Sequence, residues 1–260
     1  MIDIIIPVYN SANTLEKALL SIMFQSIKDK LKIYIIDDYS KDDISSLLAI
    51  FSKYLDITYY KNESNLGAGL SRQKGLEYSN SKYVMFLDSD DLFYTHTSIE
   101  ELYNEIEKYN YDYVSSNTYN EKYNIENNNI GDLHGKIYKR SFLDSNNIKF
   151  NELRYDEDNY FNTLVLMNGP TKGFIKKVTY VYKNTDGSLT NNKSTIQSID
   201  YIENYMKSMK SALQNIENPN KDLIAPIINV KVTYLEKIKH DYNLSDRKKI
   251  YAWINDLKKY

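Results

Sequence analysis

The 260-residue chain contains no cysteine. That excludes disulfides, thiolate nucleophiles and zinc–thiolate sites together. It also lacks an excess of charge of either sign. Its 33 basic and 35 acidic residues leave a net −2, with no general pull toward nucleic acid or an anionic membrane. No stretch approaches the roughly 20 consecutive apolar residues that a spanning helix needs. The opening MIDIIIPVYN has no basic leader and too short an apolar run for a secretory signal, so the expected setting is cytoplasmic. No internal repeat is visible. What is present is a 42% share of apolar residues, enough for a sizeable core. Tyrosine is abundant (26) beside much Asn, Lys and Ile, a bias that an AT-rich genome imposes before any function does. The length fits one large α/β domain, or such a domain with a helical appendage.

The first half alternates strand-like and helix-like segments, the pattern of a mostly parallel sheet covered by helices. Ile2–Val8 is a continuous apolar run suited to a strand buried on both faces. Asn13 with Glu16 three residues on reads as a helix start, and Leu15, Ala18, Leu19, Ile22 and Met23 recur at helical spacing. Strands are expected at 32–37, 57–60, 83–87 and 111–116, and helices at 44–54, 69–78 and 98–109. The Asn-rich tract 120–131 reads as a loop. A helix over 156–167 and a strand over 173–182 follow, then a polar, turn-rich stretch at 184–192. Beyond it, 199–216, 223–240 and 246–257 carry helical periodicity. The division is expected near residue 195, giving an α/β unit over 1–195 and a helical extension over 196–260.

The most informative stretch is KYVMFLDSDDLF, residues 82–93. An apolar strand ends there in Asp88, Ser89, Asp90 and Asp91. Carboxylates brought to one point repel, and each resists desolvation. A divalent cation relieves that cost, and hard oxygen ligands suit Mg²⁺ or Mn²⁺. A solvated acidic turn is the plainer alternative, and the segment alone does not decide between them.

In an open parallel sheet, ligands bind beyond the carboxyl ends of the strands. The first strand ends in Pro7-Val8-Tyr9-Asn10 and the second in Asp37-Asp38-Tyr39-Ser40. The third leads to Asn65-Leu66-Gly67-Ala68-Gly69 and the fourth ends in the acidic turn. Each piece has a bland explanation. Asp37 and Asp38 suit a turn, Tyr9 suits a core, Gly67 and Gly69 suit a bend, and Arg72 suits a solvated helix face. Their convergence on one rim is harder to attribute to packing.

Together these segments resemble glycosyltransferase family 2, inverting nucleotide-sugar transferases of the GT-A fold. The strings that carry the resemblance are IIIPVYN, IIDDYSKD, NLGAGLSRQKGLEYS, YVMFLDSDDLF and DEDNYF, in family order across residues 2–161. Tyr39 stands where the family usually has Gly, Ser71 where it has Ala, and Gln73 where it has Asn. No charged group is lost. The resemblance implies a Rossmann-like α/β sheet flanked by helices, and a metal-dependent transfer of a hexose or N-acetylhexosamine from a UDP-sugar to a hydroxyl of a glycan or glycoconjugate. It implies Pro7 and Tyr9 flanking the base, Asp38 accepting from the uracil N3–H, and Asp37 orienting the turn. Asn65, Arg72, Ser89 and Lys183 join the nucleotide-sugar site. Asp88 would meet the ribose or a metal-bound water, Asp90 would ligate Mn²⁺ or Mg²⁺, and Asp91 would support them from behind. The base that deprotonates the acceptor falls on Asp158, with Asp156 and Glu157 as alternatives. Without the resemblance, those three acids would read as the first turn of a helix. His134 reads as a surface-loop histidine before it reads as a ligand of acceptor or phosphate, and Ser188 belongs to a segment that can close over the diphosphate.

Two other classes compete. Nucleotidyl transfer to a sugar phosphate wants a glycine-rich basic loop after the first strand, where this chain has PVYNSAN. A degenerate binding or assembly module would not need Asp38, Asp90 and Asp158 together. The helical extension leaves open an acceptor cover, a homo-oligomer contact or a peripheral contact with the inner face of the membrane.

Overall fold

The computed structural model describes residues 1–122, 124–128, 133–152, 156–183, 199–214, 216 and 221–259. Its centre is a nine-stranded mixed sheet. The parallel half comprises β1 (Ile2–Val8), β2 (Leu31–Asp37), β3 (Asp56–Lys61) and β4 (Tyr83–Phe86) in the order β3-β2-β1-β4. β5 (Leu92–Phe93), β6 (Tyr113–Asn120), β7 (Ile125–Asn128), β8 (Lys136–Lys139) and β9 (Lys172–Tyr182) complete it as β4-β8-β6-β9-β5, with β7 on β6. Helices α1 (Ala12–Met23), α2 (Ser45–Phe51), α3 (Ala68–Tyr78) and α4 (Ser98–Tyr109) connect the first strands. α5 (Arg140–Ser145) and α6 (Glu157–Met167) follow β8, and α7 (Ile199–Gln214), α8 (Lys221–Ile238) and α9 (Leu244–Leu257) form the helical extension.

Because strand side chains alternate between faces, β1 feeds two cores. Ile2, Ile4, Ile6 and Val8 pack with Leu15 and Leu19 of α1 and Ile99 and Leu102 of α4. Ile5 points the other way, toward Leu76 of α3 and Phe161 and Leu164 of α6. A third core joins Ile202, Met206, Ile228 and Ile254 of the extension to Met167 at the end of α6. The extension is therefore packed onto the helix that begins with Glu157 and Asp158. The boundary expected near residue 195 lies outside the described residues.

Two local expectations change, and one strand residue needs an account. The tract expected as a loop at 120–131 contains β7, which pairs with Asn117–Asn120 of β6. β8 covers only Tyr113–Ser115 on that edge, so the outer half of β6 is left to recruit its own chain. The start of α1 is capped not by the Asn13–Glu16 pair but from a distance: Ala12 N donates to Asp42 Oδ2 at 2.7 Å. And Pro7 sits in a central strand without cost. Ile5 offers its carbonyl to Leu87 N at 3.1 Å, so Pro7, two residues on, turns the same edge toward β4, which has already ended at Phe86.

α3 lies close on β1 because Gly75 faces Ile5. A Cβ there would stand 2.4 Å from Ile5 Cγ2. Gly75→Ala is expected to cost about 1–3 kcal/mol through overpacking, read as a lower denaturant midpoint with an unchanged m-value. A midpoint equal to that of the parent chain would show that α3 has room to move. Among the described residues, no helix is long and apolar enough to cross a membrane.

Candidate active site

β1 lies between β2 and β4, and the carboxyl ends of the three form the rim beyond which ligands bind in open α/β sheets. The loops that line it are cross-tied. Asn10 N donates to Ser40 Oγ at 3.0 Å, and Lys41 N donates to Asn10 Oδ1 at 2.9 Å. Tyr9 and Tyr39 are about half exposed on these adjoining loops (50% and 53%), while Pro7 is buried in the strand behind. Tyr39 has φ +67°, a left-handed conformation that glycine adopts without strain. That accounts for glycine as the commoner residue there.

Asp37 accepts from Ser40 N at 2.7 Å and Tyr59 OH at 2.8 Å. Burial pushes its pKa up, but these donors outweigh burial and hold it below the usual value. Asp38 is buried and binds the following loop: Oδ1 accepts from Leu66 N (2.7 Å) and Asn62 Nδ2 (2.9 Å), and Oδ2 from Gly67 N (2.8 Å). Asn65 Nδ2 donates to the Asp38 carbonyl at 3.2 Å. The two glycines of this loop have different duties. Gly67 adopts φ +92°, whereas a Cβ on Gly69 would come within 2.9 Å of Glu157 Cβ and Cγ. Both sequence departures in α3 are used. Ser71 Oγ accepts from Asn62 Nδ2 at 3.1 Å, and Gln73 Oε1 accepts from Phe150 N at 3.0 Å.

Arg72 is buried and charged. It donates through one terminal nitrogen to Asp88 Oδ1 (2.7 Å) and through the other to Glu157 Oε1 (2.8 Å). Burial disfavours the cation, but Asp88 and Glu157 more than restore it. Glu157 carries a raised pKa because burial and Asp158 outweigh Arg72. Asp158, the next residue, accepts from Asn159 N at 2.7 Å in the first turn of α6. Behind it Phe161 is fully buried, stacked on Phe150 at 4.3 Å.

His134 is the residue whose role the sequence hides. It is buried, its Nε2 lies 2.9 Å from Asp88 Oδ2, and its ring stacks on Tyr180 at 4.9 Å. It is not a surface-loop histidine, and its partner lies 46 residues away, so no local pattern could announce it. Burial lowers its pKa, but Asp88 and Asp91 carry it up to about 9. Asp88 is opposed the same way: burial raises it, yet Arg72 and His134 hold it well below the carboxylate range. Asp91 accepts from Tyr180 OH at 2.6 Å and Lys183 N at 2.8 Å, and burial with its acidic neighbours pushes it up to about 7.

One oxygen each of Asp88 and Asp91 and one nitrogen of His134 lie within 4.8 Å of one another. Two carboxylates and an imidazole form a donor set that suits a divalent transition-metal ion such as Mn²⁺ better than oxygen-preferring Mg²⁺, and a cation would relieve the strain that lifts Asp91 toward neutrality. Imidazole ligates only when neutral, so filling this site would release the His134 proton. Asp90, on the same turn, is not part of that trio. Ser89 ties the turn to the first loop through Ser11 Oγ at 2.9 Å. Lys183 meets the cluster through its backbone N–H, while its ammonium pairs with Glu121. Ser188 lies outside the described residues.

The sequence profile described as Glycosyl transferase family 2 matches residues 3–168, a span that contains every strand end of this rim and the first turn of α6. The chain belongs to glycosyltransferase family 2. One family relative is a poly(ribitol-phosphate) beta-N-acetylglucosaminyltransferase, TarP of Staphylococcus aureus. It is 30% identical over 204 residues, covering 70% of this chain and 61% of that protein. An uncharacterised glycosyltransferase of Rickettsia conorii is 39% identical over 137 residues, 53% of this chain and 22% of its own length. The chain thus spans between about a fifth and three fifths of these relatives. In structure it is similar to S. aureus TarS solved with UDP-GlcNAc, with a TM-score of 0.83 at 18% identity over 98% of this chain and 80% of TarS 's resolved chain. It is also similar to a mannosyltransferase of Pyrobaculum calidifontis solved with GDP-Man and Mn²⁺, with a TM-score of 0.69 at 15% identity, covering 99% of this chain and 84% of that one. These likenesses establish the GT-A fold. They extend through the helical region, which the family profile leaves out.

Proposed function

We propose that the chain is a metal-dependent, inverting glycosyltransferase that moves a hexose or N-acetylhexosamine from a UDP-sugar to a hydroxyl of a glycan or glycoconjugate. One observation carries the reading: buried Arg72 joins Asp88 of the acidic turn to Glu157, the residue before Asp158. A donor-side acid and the candidate base thereby belong to one rim. The N-acetylglucosaminyltransferase among the relatives and the TarS structure solved with UDP-GlcNAc support the donor class.

In this reading the uracil lies against Tyr9, beside Pro7. Among the described residues Asp38 Oδ2 accepts one hydrogen bond, from Gly67 N, and its second lone pair is the acceptor this reading assigns to the base N3–H. Asn65 holds the Asp38 loop, and Ser89 holds the acidic turn. Lys183 anchors that turn from the other side through its backbone. Asp88, with Asp91 and His134 or with Asp90, would hold Mn²⁺ or Mg²⁺. Such a cation stabilises the negative charge that gathers on the departing diphosphate. Arg72 keeps Asp88 ionised and adds positive charge at the same edge. Asp158 removes the acceptor hydroxyl proton as that oxygen bonds to the anomeric carbon. The sugar–phosphate C–O bond breaks on the opposite face, its electrons leave with UDP, and the anomeric configuration inverts.

The test is UDP release across a panel of UDP- and GDP-sugars with Mn²⁺, with and without EDTA. We expect release from a UDP-hexose or UDP-N-acetylhexosamine, and at least a tenfold loss on adding EDTA. Pyrophosphate released from UTP with a sugar 1-phosphate, and no UDP from any UDP-sugar, would mean nucleotidyl transfer. Nucleotide binding without release, with any acceptor offered, would mean a binding module.

A further inference from the structure

The extension meets the rim at the first turn of α6. Asn159 is the third residue of that helix, directly after Asp158. Its backbone N–H donates to Asp158 Oδ1 at 2.7 Å, and its side-chain Nδ2 donates to Asp156 Oδ1 at 3.3 Å. From the middle of α8, Lys231 Nζ donates to Asn159 Oδ1 at 3.1 Å, across 72 residues of sequence. From α7, Ser208 Oγ donates to the Asp156 carbonyl at 3.3 Å. Asp156, the residue that starts the turn, has φ +61°. A residue with a side chain keeps that left-handed backbone only where its surroundings hold it.

We propose that Lys231 is a positioning residue for transfer, acting through Asn159 on the turn that carries Asp158. This rests on the reading of Asp158 as the base. An asparagine amide has two orientations of nearly equal shape, and an ammonium can only donate. Lys231 therefore selects the orientation with the Asn159 oxygen toward α8 and its NH₂ toward Asp156. Reversing the amide would set NH₂ against the ammonium and oxygen against a carboxylate, losing both bonds at once. With the amide set, Asp156 is held in its strained conformation and the helix starts at a defined place. The rest of the turn is anchored from the sheet side. Arg72 binds Glu157, and Asn162, which accepts from Tyr138 OH at 2.9 Å, donates to the Asp158 carbonyl at 3.2 Å. Lys231 and Ser208 supply the anchor from the opposite side. The extension is accordingly part of the transfer machinery, and general-base chemistry is sensitive to displacements near 1 Å.

The experiment compares the full chain with Lys231→Met, Lys231→Arg, Asn159→Ala and the Lys231→Met/Asn159→Ala double variant. UDP release from UDP-GlcNAc with Mn²⁺ is one readout, and amide hydrogen exchange over residues 157–163 is the other. Lys231→Met should lower kcat about tenfold or more, with KM for UDP-GlcNAc within twofold of the parent. Lys231→Arg, which keeps a cationic donor, should recover most of the loss. The double variant should be no worse than Asn159→Ala alone, because both changes break one relay. Exchange over 157–163 should quicken severalfold in Lys231→Met while α1 and α4 keep their rates. Additive losses, unchanged kcat with unchanged exchange, or exchange quickened equally across α1 and α4 would each overturn the proposal. Where UDP-GlcNAc is not turned over by the parent, exchange alone decides. Asp158→Asn separates the two readings. If it retains full turnover, the base assignment fails. If it is inactive while Lys231→Met matches the parent in both readouts, only the positioning role fails.

Discussion

Asp158→Asn is expected to bind the UDP-sugar as the parent does and to lose transfer by about 10²–10⁴-fold. Asparagine is nearly the same shape and keeps an oxygen to accept from Asn159 N, the bond seen at 2.7 Å, so the first turn of α6 survives the change. What it gives up is a charge at a helix N-terminus, about 0.3–1 kcal/mol of stability, and the capacity to take a proton. The loss should therefore fall on kcat. Titration of UDP with Mn²⁺ into both chains checks binding, and UDP release with acceptor checks transfer. Undiminished transfer would move the base to Asp156 or Glu157. Of these, Glu157 is already tied to Arg72 at 2.8 Å, so reaching an acceptor would require breaking that bridge.

The largest effect on stability is expected from Arg72→Ala. Arg72 is 4% exposed and pairs with two carboxylates through separate nitrogens. Removing it leaves Asp88 and Glu157 facing a site without their cation, and breaking a buried ion pair in this way costs about 3–5 kcal/mol. The denaturant midpoint should fall accordingly, and the acidic turn should lose its fixed relation to α6. Arg72→Lys should restore little of this, because one ammonium cannot match a guanidinium that spans two acceptors on different elements. A lysine variant as stable as the parent would mean that Glu157 has another partner and that the bridge is dispensable. The same substitution tests the reading of the site, since a chain that folds with Arg72→Lys but binds no UDP would assign the guanidinium to the donor as well.

The strand over Ile2–Val8 and the helix over Ser98–Tyr109 appear where their apolar periodicity puts them, because burial of a continuous run or a single stripe leaves few alternatives. The β6–β7 hairpin was invisible. Its Asn-rich residues have no strand preference of their own, and a free sheet edge supplies the partner. The cap of α1 was also misplaced, since Asp42 reaches Ala12 from a loop 30 residues on.

The site divides the same way. By itself, the order of PVYN, DDYS, NLGAG, DSDD and DED along the chain determined the family and the parallel half of the sheet. Those motifs are local: each is a strand end, a loop or a helix start made of a few neighbouring residues. In sequence the acidic turn stands alone; in the structure it is joined by groups from distant segments. Its charge balance is set by Arg72 and by His134, and its nearest donor set is Asp88, Asp91 and His134. The link from Lys231 to the turn of Asp158 is equally beyond sequence. Charge and hydrogen-bond satisfaction act through space over a few ångströms, whereas a motif records only neighbours along the chain. Only the tertiary structure could decide which distant cation answers which carboxylate.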